Sequence, residues 1–475
     1  MASRLDRRAL PAWLAATALS ALGWWFGSGL YPLWWLTWLA PLPVLWLAPR
    51  SRAHWAALAA FVAYAIGGLN LWTYAHTDIG LPLAVIVYVL SLPALAFALG
   101  VLLFRHLLLR KRALAAALAM PATWVAVEYI NNLVSPHGTW GSIAYTQMDA
   151  LPVIQIAAVT GLWGIGFLVL LLPAAAAAQA APQLSRRARV TTVTIAVSLI
   201  AAVLIYGACR LRAPAASTLR IGLVSLDKPV QPSLQDTDGQ ALQARYAMAA
   251  QRLSSEGARV VVIPETSFSS DTSTLPAFAQ LAQRHDLILD VGVAFKGDPH
   301  AQRNMAMVFQ PGLVSPATYS KHHLLPGLDP FTPGQAYRML DGTPRIGLAI
   351  CKDMDFHDIG DAYATRGAQL MLVPADDFNV DGWMHSRMAI MRGVESGFAI
   401  ARAARKGRLT LSDDRGRVLA EASSERQDAE LVGDLPLRHT RTLYSRWGDW
   451  FAWLDLAMLA ALLFAACLPM RQRAD

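Results

Sequence analysis

Long apolar stretches alternate with short polar ones through residue 209, and after that the period shortens. Apolar runs occupy 10–26, 30–47, 54–75, 81–104, 113–130, 151–178 and 190–209, and another fills 450–468. A helix of about 20 apolar residues crosses the hydrocarbon core of a bilayer. These runs therefore predict about eight membrane spans, the second interrupted by Pro32, Pro41 and Pro43. Between 211 and 446, short β-branched or apolar runs at 219–224, 258–263, 287–295, 305–310, 317–320, 345–350, 369–373, 399–403 and 408–411 read as strands. Segments of helical period at 240–254, 275–284, 358–366 and 383–396 lie among them. Strands alternating with helices, with hairpin-like pairs, predict a layered α/β sheet domain. The expected organisation is a membrane α-helical bundle over 1–212, an α/β domain over 213–446, and a last span with its tail over 447–475.

Composition agrees with the membrane reading. Of 475 residues 55% are hydrophobic, and mean hydropathy is +0.35, whereas soluble domains are about 45–50% apolar. The net charge of +8 would suit a nucleic-acid binder only if it covered one surface. It does not. Arg4, Arg7, Arg8, Arg50, Arg52, Arg105, Arg110, Lys111, Arg112, Arg186, Arg187, Arg189, Arg471 and Arg473 lie in alternate connections and at the chain ends, while the connections at 27–29, 76–80 and 131–149 hold no Lys or Arg. That bias marks the cytoplasmic side. Both ends are expected in the cytoplasm and the α/β domain in the periplasm of a bacterium, with no nucleic-acid partner. The first arginines imitate a secretory signal, but more spans follow, so a retained anchor is expected.

Three cysteines, Cys209, Cys351 and Cys467, define no disulfide framework. Trp24, Trp25, Trp34, Trp35, Trp38 and Trp46 read as an aromatic belt at the interfaces. Glu128 is a carboxylate inside a span, costly unless paired or wet. It is either a functional group or a satisfied contact beside Asn131 and Asn132.

The candidate chemistry sits where three strand-like runs reach polar residues: Glu265, Lys321 and Cys351. A cysteine attacks only as thiolate, which a neighbouring base or cation provides. Glu265 could take the thiol proton and return it, and Lys321 could orient that carboxylate and face the oxyanion of a tetrahedral intermediate. Such a set suits acyl transfer through a thioester.

The residues also resemble a known family. Pro264-Glu265-Thr266, Lys321-His322-His323-Leu324-Leu325-Pro326 and Gly347-Leu348-Ala349-Ile350-Cys351 look like the Glu–Lys–Cys triad of the nitrilase (carbon–nitrogen hydrolase) superfamily. Spans before and after the domain narrow the resemblance to the apolipoprotein N-acyltransferase family. Asn304, Thr332-Pro333-Gly334, Arg392-Gly393-Val394-Glu395 and the stretch 442–450 match as well.

The resemblance implies an αββα sandwich and an inner-membrane, multi-pass monomer. In this reading Cys351 takes a fatty acyl chain from a phospholipid and passes it to the N-terminal amine of a lipoprotein, with no cofactor and no metal. Asp329 stands where the family has a second glutamate. Lys352 and Asp353 replace an aromatic and a glutamate after the nucleophile, and Glu395 is a supporting candidate.

Departures mark a divergent member: a short 321–351 segment, Ser225-Leu226-Asp227 after the first strand, and Pro374-Ala375-Asp376-Asp377-Phe378-Asn379 in place of an Asn-Asp-Ala-Trp loop. Two other outcomes stay open: a membrane-tethered amidase or N-acyltransferase with another amine acceptor, and a non-catalytic lipid- or partner-binding scaffold. His322, His323, His357 and His385 lack metal-site spacing. Asp353, Asp355 and Asp358 lack that of a calcium loop. Arg402, Arg405, Lys406 and Arg408 read either as a solvated run or as contacts to phospholipid headgroups.

Overall fold

The computed structural model describes residues 10–468 apart from 182–183, 216, 228–230 and 314. Arg4, Arg7, Arg8, Arg471 and Arg473 lie outside the described residues. The chain forms two compact units: Ser135–Trp140 with Arg210–Gly448 make one, and the apolar segments make the other.

In the apolar unit six helices are long and apolar enough to cross a membrane, among the described residues: Ala53–Leu71, Leu83–Leu109, Ala113–Val134, Leu162–Gln179, Arg186–Leu211 and Trp450–Cys467. Leu10–Gly27 is a further continuous helix of 18 residues. The expected second span is not one continuous helix. Proline cannot donate a backbone hydrogen bond, and the segment folds as two short helices, Trp34–Thr37 and Leu42–Leu47. The run at 151–178 is also shorter as a helix than expected. Gly161, at φ +65°, breaks two single turns from the span that starts at Leu162.

Glu128 proves to be a satisfied contact. It accepts from Ser142 Oγ at 3.1 Å and from the Ile143 amide at 2.9 Å. Trp24 is not a belt residue, because it stacks on Trp124 inside the bundle, whereas Trp25, Trp34, Trp35 and Trp46 are exposed.

The basic connections meet at one end of this unit. Arg105 Nε donates to the carbonyls of Ala48 and Ser51, Arg50 to Ala180, Arg110 to Leu468 and Arg112 to Ala465.

Among the described residues the other unit holds twelve strands in two sheets. The first contains β1 (Ser217–Ser225), β2 (Val260–Ser270), β3 (Ile288–Phe295), β4 (Arg303–Phe309), β5 (Ala317–Ser320) and β12 (Ala429–Leu437), in the order β12-β1-β2-β3-β4-β5. The second contains β6 (Met339–Leu340), β7 (Ile346–Leu348), β8 (Leu370–Asp376), β9 (Ala399–Arg405), β10 (Arg408–Ser412) and β11 (Val418–Ser423), in the order β11-β10-β9-β8-β7-β6. Each sheet has a parallel centre, β1-β2-β3 or β7-β8-β9, flanked by antiparallel strands.

The apolar run of β2 reads continuously because both its faces are covered. Val260 and Val262 point into the core between the sheets, and Val261 and Ile263 point toward the helices. Thr237–Ser255 and Pro276–His285 cover the first sheet through Tyr246 and Phe278, and His357–Thr365 and Gly382–Ser396 cover the second through Ile359 and Ala389. The buried side chains of Phe278 and Ile359 each contribute about 1.5–3 kcal/mol. The layers are helix, sheet, sheet, helix.

Candidate active site

Glu265 does not end its strand, as the sequence pattern predicts, but sits in an irregularity within it. Ile263 pairs with Val291 and Phe268 with Val293, so Pro264–Ser267 stand opposite Gly292 alone. A bulge of this kind re-aims a side chain. Thr266 takes φ +43°, unusual for a β-branched residue. The close approach requires Gly292, where a Cβ would lie 2.1 Å from the Pro264 oxygen and 2.5 Å from the Glu265 Cα.

Lys321 follows β5 directly. Its amide donates to the Asn304 carbonyl at 2.9 Å. Its Nζ donates to Glu265 Oε1 at 2.8 Å and to Asp329 Oδ2 at 2.7 Å. Asn304 Nδ2 donates to the same Glu265 oxygen at 2.6 Å. Gly334, whose amide donates to the Lys321 carbonyl at 2.8 Å, packs where a Cβ would meet the Ser320 oxygen.

Cys351 comes three residues after the end of β7 and opens a 3₁₀ turn, Cys351–Asp355, with φ +46°. Cys351 is half-buried as a residue, and its Sγ donates to the Asp376 carbonyl at 3.7 Å. Asp353 ties this turn to the lysine. Its wholly buried carboxylate accepts from the Ile350 amide (2.9 Å), the His322 and His323 amides (3.1 and 2.9 Å) and the Tyr319 hydroxyl (2.7 Å).

The charges act on one another. Burial pushes the Glu265 carboxyl above its ordinary range although Lys321 pulls it down. Burial alone would lower Lys321, but Glu265, Cys351 and Asp329 outweigh it and hold the ammonium charged. Burial and the charge of Glu265 raise the Cys351 thiol, while Lys321 and Arg402 oppose them. A proton shared among such groups suits general acid–base work.

The remaining sequence candidates separate. Asp329 and Asp353 join the site. Lys352 is buried beside the nucleophile, 3.2 Å from His137 Nδ1 and 3.6 Å from Asp355, and burial lowers it. His137 belongs to Ser135–Trp140, whose Thr139 amide donates to the Asp355 carbonyl. Glu395 lies elsewhere, in a buried network with Arg392 and His357.

Neither reading of the basic run holds for Arg402 and Arg405. Both are buried, the first paired with Asp377 and the second with Asp376. The four histidines disperse: His322 between Tyr319 and Tyr337, His323 on Asp358, His357 on Tyr444, His385 on Asp381. Among the described residues no metal-binding cluster exists. Sequence reasoning missed Tyr319, His137 and the Asp377–Arg402 pair. Their partners lie far along the chain, and no local spacing announces them.

Both sheets supply the site, with Glu265 in β2 and Lys321 after β5 from the first and Cys351 after β7 from the second, an arrangement suited to acyl transfer, and the comparisons give the class. Residues 175–444, more than half of the chain, match the family model described as Carbon-nitrogen hydrolase, so the chain belongs to that family. Residues 13–175 match the Apolipoprotein N-acyltransferase N-terminal domain, which places it in the apolipoprotein N-acyltransferase branch. The apolipoprotein N-acyltransferase of Geobacter metallireducens is 28% identical over 490 residues, covering 90% of this chain and 91% of that one. That of Methylococcus capsulatus is 26% identical over 489 residues, covering 92% and 91%. An amidase from Nesterenkonia sp., known from its crystal structure, covers 46% of this chain and 90% of its own at 24% identity and a TM-score of 0.39.

Proposed function

We propose that the protein moves a fatty acyl chain from a phospholipid, through a thioester on Cys351, to the N-terminal amine of a lipoprotein. Glu265 accepts the thiol proton as Cys351 Sγ attacks the ester carbonyl, and the oxyanion faces Lys321. Collapse expels the lysophospholipid alcohol, which takes the proton from Glu265. The amine then attacks the thioester, Glu265 takes one of its protons, and the thiolate receives that proton as the amide forms. Asp329 holds the Lys321 ammonium, and Asp353 keeps the lysine and the nucleophile turn in register. These steps call for no cofactor.

The basic connections gathered at one end of the apolar unit support an inner-membrane protein with that end in the cytoplasm and the α/β domain in the periplasm. Donor and acceptor are both anchored in lipid, which suits a catalytic domain carried on membrane spans.

The observation that carries the reading is the buried Glu265–Lys321 pair at 2.8 Å, joined through Asp353 to the turn of Cys351. Purified protein incubated with phospholipid should gain the mass of one acyl chain on the Cys351 peptide, discharged when a diacylglyceryl peptide with a free amine is added. Cys351→Ser should gain no such thioester. An unmodified Cys351 in the native protein rejects the proposal.

A further inference from the structure

The first sheet supplies the nucleophile with a buried carboxylate–cation pair, Glu265–Lys321, and the second sheet supplies another. Arg402, on β9, donates from Nη1 and Nη2 to Asp377 at 2.9 and 2.6 Å, and both side chains are almost fully buried. Asp377 follows β8 directly and is fixed from three directions. Its amide donates to the Arg405 carbonyl at 2.9 Å. Arg405 in turn grips the Asp376 carboxylate through two nitrogens. Its own carboxylate fills the place of a side chain at Gly407, where a Cβ would lie 1.9 Å from Oδ2.

Between these anchors lies the Asp376 carbonyl, the acceptor of the Cys351 thiol. Two parallel strands, β8 and β9, in the register Asp376↔Arg405, therefore end in a clamp that presents the Asp376 carbonyl to sulfur.

We infer that the Asp377–Arg402 pair is a positioning element for the nucleophile, holding the Asp376 carbonyl against the thiol and sharing with Lys321 the positive charge that the thiolate faces. The inference rests on Cys351 being the reactive thiol. A buried ion pair is a poor source of stability in itself, since the cost of removing both charges from water cancels much of the attraction. Its placement beside the nucleophile gives it another use.

The charges facing Cys351 are Glu265 from β2, Lys321 after β5, Lys352 on its own turn, and Asp377 and Arg402. Those facing the pair are Cys351, Asp381 and the protonated His385, which Asp381 and Asp377 raise to about 9 against the effect of burial. Arg402 pulls the thiol down and Asp377 pushes it up. The two halves of the pair thus act on the thiol in opposite senses.

The test is the pH dependence of Cys351 alkylation by iodoacetamide in the full-length protein in detergent, read on the Cys351 peptide by mass spectrometry. Exposed Cys209 and Cys467 serve as internal controls. Asp377→Asn should move the midpoint to lower pH and Arg402→Gln to higher pH, each changing the rate below the midpoint by roughly tenfold in opposite senses. Arg402→Lys, which keeps the charge, should return the midpoint to the native value. Thermal melting of each variant reports folding. If Arg402→Gln does not fold, Asp377→Asn and Arg402→Lys decide alone. A same-direction shift of both partners, or no shift with Asp377→Asn, overturns the inference. Alkylation does not depend on acyl transfer, so correct shifts in a protein that never acquires an acyl chain would count against the proposed function and leave the pair's role standing.

Discussion

Two buried carboxyls on neighbouring strands show what a single residue can be used for. Glu265, on β2, is given Lys321 and Asn304 as partners. Asp290, on β3, is wholly buried and finds no hydrogen-bond partner for either oxygen among the described residues. Burial holds its carboxyl well above the ordinary aspartate value of 3.8. The sign of the consequence follows from linkage. Below about pH 4 both folded and unfolded chains carry the proton. As pH rises past the unfolded value only the unfolded chain releases it, so Asp290 increasingly favours unfolding until the folded value is reached. Asp290→Asn removes the titration. It should melt at a temperature higher than native by at least about 3 °C at pH 8, with the difference shrinking as pH falls to 5. Equal melting curves at both pH values would refute this. The role of such a residue was not legible in the sequence, where an aspartate inside an apolar strand looks like any other turn-former.

At the scale of elements, the bulge of β2 is the feature on which the site depends, and Gly292 is what admits it. Gly292→Ala should cost about 1–3 kcal/mol through the clash with Pro264 and Glu265. It should also cut acyl transfer by more than tenfold because Glu265 is displaced, with the melting curve and the rate measured side by side. A native rate would show that the carboxylate needs no such placement. The strands leading to Lys321 and Cys351 were legible because the short runs Ala317–Ser320 and Ile346–Ile350 stop just before those residues. The bulge was not, since the apolar run Val260–Ile263 stops at Pro264 and Glu265 reads as the strand's end, whereas β2 runs on to Ser270. β12 was missed for a different reason. It pairs with β1 over its full length, yet Gly433 and Pro436 erase its side-chain pattern, and backbone hydrogen bonds leave no trace in residue types. The broken second span was marked by its prolines, and six of the eight expected runs contain, among the described residues, a helix long and apolar enough to cross a membrane.

At the scale of the whole molecule, sidedness is the property to measure. Cys209 and Cys467 are free, exposed, and close the spans Arg186–Leu211 and Trp450–Cys467. Cys467 lies beside Ala465 and Ala466, whose carbonyls are met by Arg112 and His106. In a Cys351→Ser background, a membrane-impermeant maleimide should label Cys209 in cells with a permeabilised outer envelope and reach Cys467 only after lysis. The reverse pattern would invert the proposed orientation. The arginines that signalled topology in the sequence have a second use here, since they hold the last turn of the final span. Net charge alone could not show that.

Ser135–Trp140 follows immediately on the span ending at Val134, yet it folds as part of the hydrolase-like body, with His137 on Lys352 and Thr139 on Asp355. The folded unit is therefore not the continuous stretch of chain that a sequence boundary would cut out. A chimera spliced between two relatives at residue 210 would inherit its hexapeptide from one parent and the turn it braces from the other, and only parents in which those two pieces have changed together would yield a working hybrid.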